Sequence, residues 1–418
     1  MATRSTTPTG APSAPSYTGP FIIVTSLFFI FGFITNLNMA LVPHLQSVFN
    51  LSYGLSMLAE SAFFLAYFVF SAPTSKLIET IGYKKTMVFS LFLQVGGALL
   101  FIPAAKYVNF PLFLTASFVI GAGVTSLQTS ANPYISILGP EKTAPIRLNL
   151  AQAANSIGGT IAPLIAGAFI LTDPTQIKSA QGIADTVRVP YLLIAGGLLI
   201  LGLAVAFLSL PQITATQAFR PGGENDPILK RSIWSYRHTV LGALGIFCYV
   251  GVEVSLASIM VKYFLAEGVS SAGKASGLIA FYWGGQLTGR LLGAGAMSKI
   301  PATKLLGAFG LLATLMVIIS GVTTGHVAVW SLLACGFFNS IMFPNIFTLG
   351  IVGLGPMTSK GSGLIMTAVV GGAVVPFLFG ALADKVGIQH AFVLPILCYL
   401  YIAYYGLAGS KPKRTITA

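Results

Sequence analysis

The chain has 418 residues, of which 55% are apolar and only 8% charged, and its mean hydropathy is +0.84, whereas a soluble protein is about a quarter charged. A water-soluble globule is excluded, because a folded chain of this size still exposes much of its surface and lipid must cover what is apolar. The net charge of +13 does not point to nucleic acid, since the basic residues lie in short loops between apolar runs, where they set membrane topology.

Residues 1–20 are rich in Ser, Thr, Pro and Gly, with Arg4 as their one basic residue. They lack the charged start and apolar core of a cleaved signal and read as a disordered cytoplasmic tail. A membrane-crossing helix needs about 20 mostly apolar residues. Such runs are predicted at 21–48, 54–75, 86–105, 110–138, 148–171 and 190–210, forming one bundle over 21–210. A polar cytoplasmic linker at 211–238 leads to six more, at 239–265, 272–297, 303–323, 328–353, 361–383 and 391–409. These make a second bundle over 239–410, followed by a basic cytoplasmic tail at 411–418. The expected class is an all-α membrane protein with twelve transmembrane helices in two six-helix bundles.

With the N-terminus in the cytoplasm, seventeen of the 23 Lys and Arg residues fall on the cytoplasmic side, leaving Lys106, Lys178, Arg188, Lys262, Lys274 and Lys385 outside. That bias follows the rule that cytoplasmic loops carry the excess of Lys and Arg. Both termini are therefore placed in the cytoplasm and the chain in the inner (plasma) membrane. One span more or fewer would scramble the asymmetry.

The two halves also echo each other. Leu138-Gly139-Pro140 matches Leu354-Gly355-Pro356, Pro133 matches Pro344, and Gly158-Gly159 with Pro163 match Gly371-Gly372 with Pro376, at offsets between 211 and 216. An even number of spans per repeat keeps its orientation, which predicts halves related by a pseudo-two-fold axis along the membrane normal. The pairs Gly96-Gly97, Gly284-Gly285 and Gly371-Gly372 are expected to be sites of close helix packing.

Several kinds of chemistry are absent. No Gly-rich loop with a following lysine is present for a nucleotide. Cys248, Cys335 and Cys398 lie singly in apolar runs, with no metal or disulfide spacing. His44, His238, His326 and His390 all lie near span ends, and no paired acids or activated nucleophile occur within a span. No enzyme activity, metal or cofactor is expected.

The runs Phe31-Gly32-Phe33-Ile34-Thr35-Asn36-Leu37-Asn38, Ser130-Ala131-Asn132-Pro133, Leu138-Gly139-Pro140-Glu141, Arg147-Leu148-Asn149-Leu150-Ala151-Gln152, Asn339-Ser340-Ile341-Met342-Phe343-Pro344 and Gly361-Ser362-Gly363 closely resemble the fucose–galactose–glucose symporter family of the major facilitator superfamily. Tyr249-Val250-Gly251-Val252-Glu253-Val254-Ser255 and Tyr282-Trp283-Gly284-Gly285 are more similar to its glucose/galactose branch. The resemblance implies the major facilitator fold and secondary active uptake of a hexose. Its partners would be the sugar, a coupling cation (H+ or Na+) and the lipid bilayer, and a monomer is the default for the fold. A facilitative uniporter on the same fold is the alternative.

A sugar site needs amides that donate and accept hydrogen bonds, together with aromatic faces. Gln128 and Asn132, Gln152 and Asn155, Trp283 and Gln286, and Asn339 and Phe343 each stand three or four apart, so each pair would share one helix face. Those faces are expected to line a sugar cavity, the alternatives being interhelical hydrogen bonding for the amides and an interfacial anchor for Trp283. Asn345, beside Pro344, would either touch substrate or cap backbone that the proline frees. Asn36 and Asn38 point to different faces, and the resemblance singles out Asn36 as the helix 1 contact. Arg290, at the end of the eighth span, reads either as a solvated loop charge or as part of a charged latch between the halves.

Proton-coupled members of the family carry an acid at the position of Met39, and the fucose branch another at that of Gln128, so neither position can titrate here. Of the ten acids, only Glu60 and Glu253 fall well inside spans. Intramembrane carboxylates are costly and usually functional. Glu60 is expected to couple the cation, and Glu253 to bind sugar or help hold the cation.

Overall fold

The structure, a computed structural model, describes residues 17–40, 53–169, 188–208, 210–211, 231–269 and 271–412; the side chains of 38–40, 53–61, 163–164, 166–169, 189, 272–273 and 276 lie outside it. Helix α1 spans Thr18–Ala40, starting three residues before the expected boundary because Pro20 is tolerated in a first turn, where its missing N–H has no partner to lose. Tyr53–Lys106 is one helical stretch, but Gly82 (φ 81, ψ 168) divides it into α2 (53–81) and α3 (83–106). Only glycine reaches that conformation without strain, so the expected loop at 76–85 shrinks to one residue. Then come α4 (Phe110–Ile137), α5 (Ala144–Phe169) and α6 (Arg188–Phe207).

The second half begins with α7 (Arg237–Ala266), α8 (Ala272–Ala296) and α9 (Ala302–Val322). Helix α10 comes in two pieces, Gly325–Asn339 and Met342–Ile351, where the sequence predicts a single span. Pro344 is the third residue of the second piece and supplies no N–H to the turn before it, which breaks the ladder upstream. Helix α11 also has two pieces, Thr358–Thr367 and Gly371–Val386, joined by a tighter turn at Ala368–Val370. Helix α12 runs over 388–404 and ends in a π turn, Tyr405–Gly409.

Helices in lipid have no hydrophobic drive to associate, so close backbone approach at small residues holds them together. Helix α1 lies on α5 at Gly158, where an added Cβ would meet the Phe29 carbonyl and come within 3.0 Å of Phe33 N. Helix α8 lies on the α10 break through Gly285, Gly289 and Gly293, spaced by four; a Cβ at Gly289 would sit 2.6 Å from the Phe337 carbonyl. Two of the three expected glycine pairs are corrected: Gly97 and Gly285 pack closely but Gly96 and Gly284 face open space, whereas Gly371 and Gly372 both pack. Adjacent residues on a helix point about 100° apart, so at the first two pairs one glycine meets the neighbouring helix and the other does not, while Gly371 meets Phe247 and Gly372 meets Val250 and Phe64.

The α2–α3, α4–α5 and α10–α11 connections lie on one face, which the sequence makes basic; there Ser359 meets Glu79 and Gly353 meets Glu141. On that face Arg147 closes the α4 C-terminus, donating from Nε to the Ile135 carbonyl (3.0 Å), from Nη1 to the Pro140 carbonyl (3.1 Å), and to the Ser136 carbonyl. Lys84 Nζ donates to the Ala206 carbonyl at the end of α6 (2.8 Å). Cations placed on orphan C-terminal carbonyls also complement the helix dipole.

Candidate substrate site between the two halves

In the second half, Glu253 on α7 is half-buried, and its Oε1 accepts from Tyr249 OH (2.7 Å) and from Gln286 Nε2 on α8. Gln286 Nε2 also lies 3.3 Å from Tyr249 OH. The Tyr249 ring meets Phe343 at 6.3 Å between centroids, and Phe343 stacks on Phe347. One carboxylate, one amide and two aromatic faces therefore converge from α7, α8 and α10. Trp283 is half-buried one turn from Gln286, edge-on to Tyr282.

Asn339 and Phe343 flank the break at Ser340–Ile341, and the structure gives them different partners. Asn339 is fully buried; its Nδ2 donates to Tyr282 OH (2.7 Å) and its Oδ1 accepts from Tyr399 OH (2.7 Å). The amide thus ties α8, α10 and α12 together, and a sugar hydroxyl would have to displace a tyrosine to reach it.

In the first half, Gln128 Nε2 on α4 donates to Tyr67 OH on α2 (2.8 Å). Asn155 Nδ2 lies 3.3 Å from the Phe28 carbonyl, and Asn36 Nδ2 bonds its own helix at the Gly32 carbonyl (3.0 Å) while facing Gly159 on α5. The Glu60 side chain and that of Asn38 lie outside the described residues.

The halves meet by hydrogen bonds between these amides and the basic face. Asn132 Nδ2 points at Met366 Sδ (3.6 Å), leaving its Oδ1 buried without a partner. Asn149 Nδ2 donates to Asn345 Oδ1 (3.0 Å). Asn345 therefore clasps the opposite half through its Oδ1, a role that neither sequence reading gave it. Nearer the basic face, Ser359 Oγ donates to Glu79 Oε1 (2.9 Å), and the Gly353 N–H lies 3.3 Å from Glu141 Oε1. Gly363 packs against Ser75, whose Cβ would be 2.7 Å from a Cβ added there.

Arg290 is not a loop charge. It is 5% exposed within α8, its Nε donates to the Ser340 carbonyl at the α10 break (3.3 Å), and its Nη1 donates to the Gln152 carbonyl on α5 (2.8 Å) and to Ser156 Oγ. The break frees a carbonyl that a continuous helix would have used, and the guanidinium takes it up. Sequence reasoning missed this residue's place, together with the roles of Tyr67, Tyr249, Tyr282 and Tyr399. The spacing of Tyr249 to Glu253 and of Gln286 to Arg290, four residues each, is the signal that was available.

Two six-helix bundles with discontinuous helices in the second one, and polar side chains converging where the bundles meet, define a multi-pass membrane transporter rather than an enzyme. The profile described as Major Facilitator Superfamily matches residues 23–369. A "Glucose/galactose transporter" of Brucella abortus is 46% identical over 96% of this chain and 97% of its own length. The "L-fucose-proton symporter" of Escherichia coli is 34% identical over 96% of this chain and 95% of its own. A crystal structure of the transporter FucP, in the outward conformation, superposes with a TM-score of 0.84 at 33% identity, covering 94% of this chain and 99% of that one. The chain belongs to the major facilitator superfamily. Within it, it is a member of the fucose–galactose–glucose symporter family, nearer the glucose/galactose branch.

Proposed function

We propose that this protein takes up a hexose, glucose or galactose in preference to fucose, by alternating access between its two halves, driven by a cation gradient in which the proton is favoured over sodium. The observation that carries the reading is the set of Glu253, Tyr249, Gln286 and Phe343 where the halves meet. A carboxylate and an amide match hydroxyls, and an aromatic ring matches the C–H face of a sugar. The relatives named as glucose/galactose transporters support the choice of sugar, and the relative named as a proton symporter supports the ion. The basic face is taken as cytoplasmic in the inner membrane, from its excess of Lys and Arg.

Competition in proteoliposomes tests the substrate. Unlabelled glucose or galactose is expected to displace labelled glucose from counterflow at lower concentration than fucose, and a fucose preference would overturn the branch assignment. Coupling rests on Glu60, the proposed stand-in for the helix 1 acid absent at Met39. Glu60→Gln is expected to abolish stimulation of uptake by an imposed gradient while leaving counterflow within about twofold of wild type. Wild-type uptake that neither acidification nor sodium stimulates would replace the symporter with the uniporter.

A further inference from the structure

Arg290 carries a buried positive charge whose described partners are all neutral: the Ser340 and Gln152 carbonyls and the Ser156 hydroxyl. Glu253 carries a carboxylate whose described partners, Tyr249 and Gln286, are likewise neutral. The two are near each other. Gln286 and Arg290 stand four residues apart on α8, on the same face, and Gln286 itself donates to Glu253 Oε1, which puts the guanidinium one turn of α8 from the side chain that holds the carboxylate. Buried opposite charges normally pair, since each alone is costly in a low-dielectric interior. Here the guanidinium is engaged elsewhere, because α5 supplies two of its acceptors.

That arrangement exists only while the halves touch near the basic face. If α5 moves away from α8, Arg290 loses the Gln152 carbonyl and the Ser156 hydroxyl together and keeps Ser340 alone. A guanidinium has five donors, and the carboxylate held by Gln286 becomes the best acceptor in reach. We propose that Arg290 is a partner-exchange switch, binding the α5 backbone when the basic face is closed and the Glu253 carboxylate when it is open. The exchange links the carboxylate of the proposed sugar site to the opening of the opposite half, and each state satisfies a charge that would otherwise oppose it. The α8 glycines at 285, 289 and 293 serve this device by letting the helix lie on the α10 break, where the Ser340 carbonyl anchors the guanidinium in both states.

The inference rests on alternating access but not on which sugar is carried, and its test reads conformation without substrate. Ser75 is buried against Gly363 across the halves, so a cysteine there reacts only when the basic face opens. The rate at which N-ethylmaleimide labels Ser75→Cys in the detergent-solubilised protein, followed at that peptide by mass spectrometry, reports the opening. Adding Arg290→Gln removes the closed-state contacts and is expected to raise the rate at least fivefold. Arg290→Lys, which keeps the charge but cannot reach several acceptors at once, is expected to fall between the two. Adding Glu253→Gln removes the open-state partner alone and is expected to lower the rate at least threefold. Faster labelling in Arg290→Gln with no change in Glu253→Gln would leave a simple clasp and overturn the exchange. No change in Arg290→Gln, with the protein still monodisperse, would overturn the switch altogether. Failure of hexose counterflow alongside these labelling shifts would count against the proposed substrate and not against the switch.

Discussion

Glu253→Gln is expected to weaken hexose binding by about 10- to 100-fold while leaving expression and helix content unchanged. A hydrogen bond to an ionised group contributes about 1.5–3 kcal/mol, roughly twice a neutral one, and a factor of ten corresponds to about 1.4 kcal/mol. Glutamine is nearly isosteric, and its oxygen can still accept from Tyr249, so the packing of α7 on α8 survives. What is lost is the charge: a glutamine oxygen in the Oε1 place keeps both the Tyr249 and the Gln286 donors, while the NH2 takes the place of Oε2 and turns an acceptor into a donor. Displacement of labelled glucose measures the affinity. Binding within twofold of wild type would mean that Glu253 serves only to hold Tyr249 and Gln286 in place.

The second large effect is structural. Gly158→Val should cost at least ~3 kcal/mol and remove sugar binding together with stability. A Cβ at this position would already collide with the Phe29 carbonyl on α1 and stand 3.0 Å from Phe33 N. Those are backbone atoms, which cannot rotate aside as a side chain can. Overpacking of a well-packed interface typically costs about 1–3 kcal/mol, and valine adds two methyl groups beyond the clash. The helices must separate, which displaces Asn36 and Asn155 together, since both lie along the α1–α5 contact. The thermal midpoint in detergent measures the loss. A valine variant with an unchanged midpoint would show that the α1–α5 contact is looser than drawn. Gly196→Val provides the control, because nothing lies within 4 Å of a Cβ there.

Much of the architecture was legible without coordinates. Bilayer thickness fixes the length of an apolar span, and charge asymmetry fixes the parity of the count, so a twelve-span reading follows from hydropathy and Lys and Arg positions alone. The same physics explains why Glu60 and Glu253 stand out, since an acid deep in a span is expensive wherever the chain folds. Spacing also found the pairs that share a helix face, so long as the helix is continuous. It did not reveal that α10 comes in two pieces between Asn339 and Phe343, where hydrogen-bond loss before Pro344 interrupts the ladder. It could not say which glycine of a pair packs, because that depends on the direction in which the neighbouring helix lies.

The tertiary structure alone decided who bonds to whom. An amide in a span reads the same whether it meets substrate or a tyrosine on another helix, and Asn339, held between Tyr282 and Tyr399, could be placed only in three dimensions. Arg290 shows the limit most plainly. By sequence it is one more basic residue near the end of a span, consistent with the charge bias. In the fold it is a buried cation that spans α8, the α10 break and α5. Burial and partner choice arise from the docking of two halves far apart in the chain, and local hydropathy, which sees about one helix at a time, carries no record of that contact.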